Sequence, residues 1–195
     1  VIESIYQHYT KRHLISTDSR SIEKDCVFVA IKGERFDGND FAYKVASDGI
    51  AACVIADRND LPHHERLFIV DDSISTLQQL AKLHRERINI PVIGITGTNG
   101  KTTTKELTAA VLSKKYNIIY TQGNYNNHIG VPLTLLQMRP DTEMAVVEMG
   151  ANHINEIAQL CSIAQPDFGL ITNIGKAHIE GFGSFEGVVK TKNEL

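Results

Sequence analysis

The chain has few of the residues that build disulfide frameworks or membrane spans. Among its 195 residues it has no tryptophan, five prolines and three cysteines. The cysteines, Cys26, Cys53 and Cys161, are far apart and odd in number, which favours reduced thiols over a disulfide framework or a zinc site. No apolar run approaches the ~20 residues that cross a bilayer, and no cationic, apolar leader is present. We therefore expect a cytoplasmic protein without membrane insertion.

An excess of positive charge is also lacking. Twenty basic residues face 23 acidic ones, for a formal net charge of −3. This balance gives no electrostatic reason to expect binding to nucleic acid or to an anionic membrane. With 42% hydrophobic and 22% charged residues, the composition is that of a globular protein with one large domain or two small ones.

The most informative stretch is the glycine-containing loop within residues 94–103. An apolar run, 90–95, precedes it, and a helix-like run, 104–114, follows it. A strand, a tight loop and a helix N-terminus in succession offer free backbone N–H groups and a positive dipole end to an anion. We interpret this loop as a cradle for the phosphates of a nucleoside triphosphate. The predicted cofactor-binding residues are Gly97, Thr98, Asn99, Gly100, Lys101, Thr102 and Thr103.

Two side chains of the loop have specific predicted roles. Lys101 supplies a mobile positive charge for phosphates, and the Thr102 hydroxyl is a ligand for Mg²⁺. The match is to the short form G-x-x-G-K-T, because Ile95 stands where the general phosphate-loop pattern has glycine. The alternative is a glycine-rich turn with an exposed lysine.

The order of apolar and helical segments predicts an α/β fold. Strands alternate with helices from Val27 onward, and the sequence pattern predicts a domain hinge at Pro91. We expect a small α/β N-terminal domain, 1–89, followed by a truncated P-loop-type, doubly wound parallel sheet, 90–195. Ligands of such a sheet gather at the carboxyl ends of its strands.

Glu148 ends the apolar strand pattern that begins at Met144. An acid at the carboxyl end of a strand beside the phosphate loop is placed to hold Mg²⁺, directly or through water. The alternative is a strand-end acid that pairs with a surface lysine.

Two polar segments have a functional and a structural interpretation. Asp18, Ser19 and Arg20 belong to a loop that could hold a phosphate or a uracil–ribose edge, although the composition alone favours a solvated turn. The segment 123–132 contains Asn124, Asn126 and Asn127, which could bind substrate or form an Asn-rich turn.

Two residues near the end of the chain are further candidates. His178 follows a predicted strand and could contact a metal or a phosphate, although a lone histidine usually does neither. In a helix that starts at Ser184, Lys192 shares a face with Phe185, Val188 and Val189, whereas Lys190 points away. Burial would lower the pKa of the Lys192 amine, unless its ammonium group snorkels to water.

Taken together, these motifs resemble those of the Mur ligases of peptidoglycan synthesis. Residues 96–103 are similar to the ATP loop of that family, including the departure at Ile95. The resemblance covers residues 16–195. The other motifs that carry it are Asp18-Ser19-Arg20, the segments 28–33 and 36–38, the segment 123–132, Glu148-Met149-Gly150-Ala151-Asn152, and the segment 177–183.

The resemblance implies a role for each matching residue. Lys101 and the loop amides would hold ATP, Thr102 and Glu148 would hold one Mg²⁺, and His178 would help to hold a second. Lys192 matches the lysine that the family carries as a carbamate near that metal. Lys101, His178 and Lys192 are accordingly the expected catalytic residues. The implied substrate-binding residues are Asp18, Ser19, Arg20, Lys32, Gly33, Asp37 and Gly38 in the UDP-binding domain, with Asn124, Asn126 and Asn127 near the phosphates.

The resemblance also implies the reaction and its partners. The expected substrates are UDP-N-acetylmuramoyl-tripeptide and D-alanyl-D-alanine, joined through an acyl phosphate at the expense of ATP, by a protein that we expect to be a monomer. The chain starts at Val1 and stops at Leu195 inside a predicted helix. We therefore expect a fragment that lacks the C-terminal domain and does not ligate by itself.

Three alternatives remain at this stage. Another ligase of the superfamily, such as an earlier Mur ligase, a folylpolyglutamate synthase or a cyanophycin synthetase, would share the ATP loop. A phosphate-loop kinase or nucleotide switch would bind the nucleotide without forming an acyl phosphate. A binding module without catalysis is the third alternative.

Overall fold

Two parallel four-stranded sheets organise the part of the chain that the structure describes. The computed structural model describes residues 1–175 and 179–195. The chain divides into two units, Val1–Leu80 and Ala81–Leu195. The division falls inside a helix, Ser73–Arg87, and the predicted domain boundary beside Pro91 stays a prediction.

The first unit is a parallel sheet with the strand order β1-β2-β3-β4. Its strand Val27–Val29 is buried on both faces, as expected for a short, continuously apolar strand in a parallel sheet. Small and β-branched side chains such as Ala42, Ala46 and Val54 let a helix pack closely on the sheet. The elements are α1 (Ile2–Tyr9), β1 (Ile15–Ser16), β2 (Val27–Val29), α2 (Asn39–Asp48), β3 (Cys53–Ala56), β4 (Leu67–Ile69) and the start of α3 (Ser73–Arg87).

The second unit continues from α3 with a second α/β arrangement. Its central strands are mostly apolar at their buried positions, with Ile95, Val146 and Val147 inaccessible to solvent. The elements are β5 (Val92–Thr96), α4 (Lys101–Leu112), β6 (Ile118–Tyr120), α5 (Gly130–Leu135), β7 (Met144–Glu148), α6 (Glu156–Ala164), β8 (Phe168–Ile171), α7 (Ile179–Phe182) and α8 (Phe185–Lys192).

The strand order of the second sheet determines where a ligand can bind. All pairs are parallel, in the order β6-β7-β5-β8, so the chain leaves β5 towards one side and later returns to its other side at β8. A reversal of this kind opens a crevice at the carboxyl ends of the strands. Ile95 is in register with Glu148 and Thr96 with Ile171, so the ends of β5, β7 and β8 meet at one edge.

The predicted α/β fold class is confirmed, and local contacts set the ends of two elements. Helix α6 begins at Glu156, because the Glu156 carboxylate accepts the backbone N–H groups of Asn152 and His153 and holds that segment as a turn. Strand β8 ends at Ile171, because Thr172 turns to bond the phosphate loop. Helix α1 carried no sequence prediction.

The cysteines and the helices give two further findings. Cys26 and Cys53 are buried thiols, and Cys161 is a partly buried one. Among the residues that the structure describes, every helix is too short or too polar to traverse a bilayer.

Candidate active site

The loop between β5 and α4 has the backbone that a phosphate cradle needs. Gly97 has φ 144° and Gly100 has φ 77°, both in the region that favours glycine. A Cβ atom on Gly97 would lie only 2.0 Å from the Thr172 hydroxyl oxygen. The chain after β8 fixes the loop, since the N–H groups of Thr98 and Asn99 donate to the carbonyl and the side chain of Asn173.

Lys101 lies across this loop. Its ammonium donates to the carbonyl of Gly97 at 2.8 Å and to that of Thr98 at 3.2 Å, so the charge is placed beside the first turn of α4. The N–H groups of that turn have no acceptor within the helix and suit an anion. Lysine, loop and helix end therefore converge on one position for an anion.

Glu148 is a buried carboxylate at the end of β7, with its side chain 1% exposed. Its Oε1 accepts from the Asn126 side chain at 2.8 Å and from the Thr102 hydroxyl at 3.3 Å. Its backbone N–H donates to the Thr121 hydroxyl at 2.9 Å. The structure thus brings together Thr102 and Glu148, which the sequence predicted as ligands of one metal.

The donor set fits a single Mg²⁺ that also binds phosphate. Neighbouring ligands of an octahedral shell with a radius of about 2.1 Å are about 3 Å apart, and the Thr102 and Glu148 oxygens are 3.3 Å apart. Within residues 1–175 and 179–195, no three His, Cys, Asp or Glu residues cluster as a metal centre. Magnesium bound through one carboxylate, one hydroxyl and phosphate oxygens does not need such a cluster.

The three candidate asparagines of the segment 123–132 differ in what they do. Asn126 orients Glu148, and its own carbonyl accepts from the Gly150 N–H at 2.7 Å. The side-chain oxygen Oδ1 of Asn127 accepts from the N–H groups of Ile129 and Gly130 and so starts α5. Asn124 is exposed. Asn126 and Asn127 line the cleft described below, and Asn124 is not part of its lining.

Lys192 has the orientation that its helical spacing predicted. It is 3% exposed, with its ammonium 5.6 Å from the centre of the Phe182 ring, whereas Lys190 is exposed. Burial, and secondly the charge of Lys101, lower the pKa of the Lys192 amine below its usual value. The expected burial of Phe185 on the same face is wrong: its side chain is 39% exposed, because α8 has only just begun there.

A cleft of about 340 Å³ lies beside the phosphate loop within the second unit, and neither Thr102 nor Glu148 is among its lining residues. Lys101 and Lys192 lie in its wall together with Glu156, whose carboxylate accepts from the ring of His153 at 3.2 Å. Burial alone would raise the pKa of Glu156, but the N–H groups of Asn152 and His153 lower it overall. The cleft is lined by Gly97, Thr98, Lys101, Asn126, Asn127, His128, Gly150, Ala151, Asn152, His153, Glu156, Gln159, Leu160, Phe182, Val188 and Lys192.

The first unit contains the other candidate substrate residues. The Asp18 carboxylate accepts from the Arg20 backbone and from two guanidinium nitrogens, at 2.7–3.0 Å. This pairing lowers the pKa of Asp18 to about 2. Ser19 lies between them and is half-buried, and the Arg20 side chain is 86% exposed. Asp18 therefore holds the guanidinium in place at the surface.

The segment from Lys32 to Gly38 is a small hairpin. Lys32 and Asp37 form an antiparallel bridge, and the Gly33 N–H donates to the Phe36 carbonyl at 2.7 Å. A Cβ atom on Gly38 would lie 2.8 Å from a backbone nitrogen, so the turn into α2 requires glycine. Burial alone would raise the pKa of Asp37, but hydrogen bonds from Asn39 lower it overall.

One predicted site residue, His178, lies outside the described residues. Conversely, two features of the site had no sequence prediction. His153 and Glu156 line the cleft. In the sequence, their only indication was that they follow the motif Glu148-Met149-Gly150-Ala151-Asn152. Lys105 is fully buried beside Glu148. Its helical spacing from Lys101 and Ala109 could have indicated this, by the same periodicity that indicated Lys192.

Comparison with models of known protein families identifies the family of this chain. The model described as the Mur ligase middle domain matches residues 95–195, which is more than half of the chain. The chain belongs to the Mur ligase family. The model described as the Mur ligase family catalytic domain matches residues 11–106. The resemblance inferred from the loop and its companion motifs is thereby confirmed.

Individual relatives of this Mur ligase chain are similar over most of its length. The UDP-N-acetylmuramoyl-tripeptide--D-alanyl-D-alanine ligase of Bacillus subtilis is 45% identical over 94% of this chain and 40% of its own. That of Escherichia coli is 44% identical over 93% of this chain and 40% of its own. The chain thus spans about two fifths of the length of these relatives.

Solved Mur ligase structures share the fold. A MurF structure from Acinetobacter baumannii aligns with a TM-score of 0.83 and 40% identity, over 92% of this chain and 40% of that one. A MurF ligase from Thermotoga maritima, solved in complex with ADP, aligns with a TM-score of 0.85 and 39% identity, over 93% of this chain and 42% of that one.

Proposed function

We propose that this chain is part of an ATP-dependent ligase that joins D-alanyl-D-alanine to UDP-N-acetylmuramoyl-tripeptide. The observation that carries the proposal is the 43–46% identity to four ligases of that name over at least 93% of the chain. The arrangement of Lys101, Thr102 and Glu148 supports it, because it supplies the groups that phosphoryl transfer requires.

In this proposal the first step is phosphoryl transfer. A carboxylate oxygen of the tripeptide attacks the γ-phosphorus of ATP, the bond to the β–γ bridging oxygen breaks, and ADP leaves. Lys101 and the first N–H groups of α4 bind the phosphate oxygens and stabilise their developing charge. Thr102 and Glu148 would hold Mg²⁺, which when bound neutralises phosphate charge.

The second step forms the amide. The free amine of D-alanyl-D-alanine attacks the acyl phosphate carbonyl, a tetrahedral intermediate forms, and inorganic phosphate leaves as the nitrogen loses its proton. The side chains of Asn126, His153 and Glu156 line the cleft where these groups would meet. A closed cleft would protect the acyl phosphate from water.

We further propose that Lys192 carries a carbamate and helps to bind a second Mg²⁺ together with His178. Carbamylation joins a neutral amine to carbon dioxide and releases one proton. The lowered pKa of Lys192 supports the proposal, because it makes the neutral amine more available. Asp18, Ser19, Arg20 and the hairpin from Lys32 to Gly38 would contact the UDP-sugar substrate, and the protein would act as a monomer in the cytoplasm.

The test is substrate-dependent phosphate release by the intact protein. We expect ATP, UDP-N-acetylmuramoyl-tripeptide and D-alanyl-D-alanine together to be required, and Lys101→Ala to abolish release. Phosphate release with a folate and glutamate would instead assign the protein to another branch of the superfamily. Ligation by the 195-residue chain alone would show that the part of the relatives that this chain does not match is dispensable for the reaction.

A further inference from the structure

A second buried charge lies behind Glu148. Lys105, on α4, is fully buried, and its ammonium nitrogen is 3.9 Å from Glu148 Oε2, whose side chain is 1% exposed. Within the described part of the chain, neither atom makes a hydrogen bond. A buried charge without a compensating partner is strongly unfavourable, so the two groups depend on each other.

The two oxygens of Glu148 have different surroundings. Oε1 meets the Asn126 amide at 2.8 Å and the Thr102 hydroxyl at 3.3 Å, on the side of the phosphate loop. Oε2 is inaccessible to solvent and faces Lys105. The Lys105 ammonium therefore favours this orientation of the carboxylate from the inner side.

Lys105 also has a second acidic neighbour. Its ammonium nitrogen is 3.0 Å from Glu106 Oε1, without the alignment of a hydrogen bond, and the Glu106 side chain is 51% exposed. An ion pair with an exposed glutamate is worth at most ~1 kcal/mol and does not require the lysine to be buried. The ring of Tyr120 adds a cation–π contact at 5.8 Å. Glu148 is the partner that is itself buried with Lys105.

We propose that Lys105 is a positioning residue for the metal site: its ammonium holds Oε2 of Glu148 in the interior, so that Oε1 alone faces Thr102 and a metal–nucleotide complex. The inference rests on the proposed function, because it assumes that Mg²⁺ and a nucleotide bind at Thr102 and Glu148. It predicts that Lys105 affects binding of the nucleotide only when the metal is present.

The experiment compares ADP binding with Mg²⁺ and with EDTA, by titration calorimetry on the intact protein. The ratio of the two dissociation constants measures the contribution of the metal. We expect Lys105→Met to reduce this ratio by about tenfold or more, the usual effect of removing a group that orients a metal ligand. Metal-free ADP binding should change by less than about twofold, since Lys101 and the helix end are retained.

Two further variants show whether Lys105 acts through Glu148. Glu106→Gln removes the other acidic neighbour and should leave the ratio unchanged. In a Glu148→Gln background, Lys105→Met should cause no further loss. Thermal unfolding of each variant establishes that it is folded, and Lys105→Gln replaces Lys105→Met if the latter is not.

The outcomes separate this inference from the proposed function. If Mg²⁺ does not strengthen ADP binding in the unaltered protein, the proposed nucleotide site is wrong and the inference falls with it. If Mg²⁺ strengthens binding equally in the unaltered protein and in Lys105→Met, only the inference is overturned. A similar loss in Glu106→Gln, or equal losses with Mg²⁺ and with EDTA, would also overturn it.

Discussion

The contact between Gly97 and Thr172 gives the sharpest test of the loop geometry. Gly97 has φ 144°, and an added Cβ would lie 2.0 Å from the Thr172 hydroxyl oxygen and 3.1 Å from two backbone atoms. Gly100 also has a positive φ, 77°, but an added Cβ would meet nothing within 4 Å. Gly97→Ala and Gly100→Ala therefore differ in steric contact and share backbone strain.

The expected losses in the free energy of unfolding follow from the backbone strain and the steric contact. A non-glycine residue at such a φ costs about 1–3 kcal/mol, and this strain applies to both substitutions. In Gly97→Ala the Thr172 hydroxyl must also move and lose its hydrogen bond to the Asn99 carbonyl, 2.6 Å away. A bond of this kind contributes about 0.5–1.5 kcal/mol. We expect Gly97→Ala to lower the free energy of unfolding by about 1–2 kcal/mol more than Gly100→Ala does.

Urea denaturation followed by far-UV circular dichroism measures this difference, provided that the m-values agree between variants. Thr172→Ala removes the obstructing oxygen. In that background Gly97→Ala should cost less than it does in the unaltered protein, so the double-mutant cycle should show a coupling of about 1 kcal/mol. Equal losses for the two glycine substitutions, or no coupling with Thr172, would refute the geometry.

Three further predictions concern the rest of the molecule. Burial lowers the pKa of Lys192, so the folded protein binds fewer protons than the unfolded chain as the pH rises towards 10.5. The free energy of unfolding of the unaltered protein should therefore rise over that range, relative to that of Lys192→Met. Both are measured in carbon-dioxide-free buffer. Asn126→Ala removes a bond to the Glu148 carboxylate and should lower the melting temperature by an amount equivalent to about 1.5–3 kcal/mol, whereas Asn124→Ala at an exposed position should change stability by less than about 0.5 kcal/mol. Burial raises the pKa of Cys53 to about 12 and that of Cys161 to about 11, so a disulfide reagent at pH 8 should label both slowly until the protein unfolds.

Each of these has a result that contradicts it. The exposed Lys190 is the control for Lys192, and Lys190→Met should show the same pH dependence as the unaltered protein. Equal losses in the two asparagine variants would mean that the Asn126–Glu148 bond does not stabilise the fold. Rapid labelling of Cys53 in the folded protein would show that it is not buried.

The sequence determined much of the second unit because the relevant signals are local. A continuous apolar run with a glycine loop and a helix start specifies β5, the loop and α4 within a few residues. The acid at the end of the Met144 run could be placed beside that loop, because carboxyl ends of parallel strands share an edge. The helical spacing that put Lys192 towards the interior is equally local, and its burial confirms it.

Only the tertiary structure shows the contacts between segments that are distant in the chain. Asn126 orients Glu148, whereas Asn127 starts α5. This difference depends on how the loop that contains them packs against the end of β7. The steric need for glycine at Gly97 comes from Thr172, 75 positions further on in the chain. Composition and periodicity carry no information about such pairs, because they report which face of an element is apolar and not which side chain lies opposite. Lys105 depends on both kinds of information. Its helical spacing on α4 can be read from the sequence, but only the tertiary structure shows that its ammonium lies beside Glu148 at the end of β7.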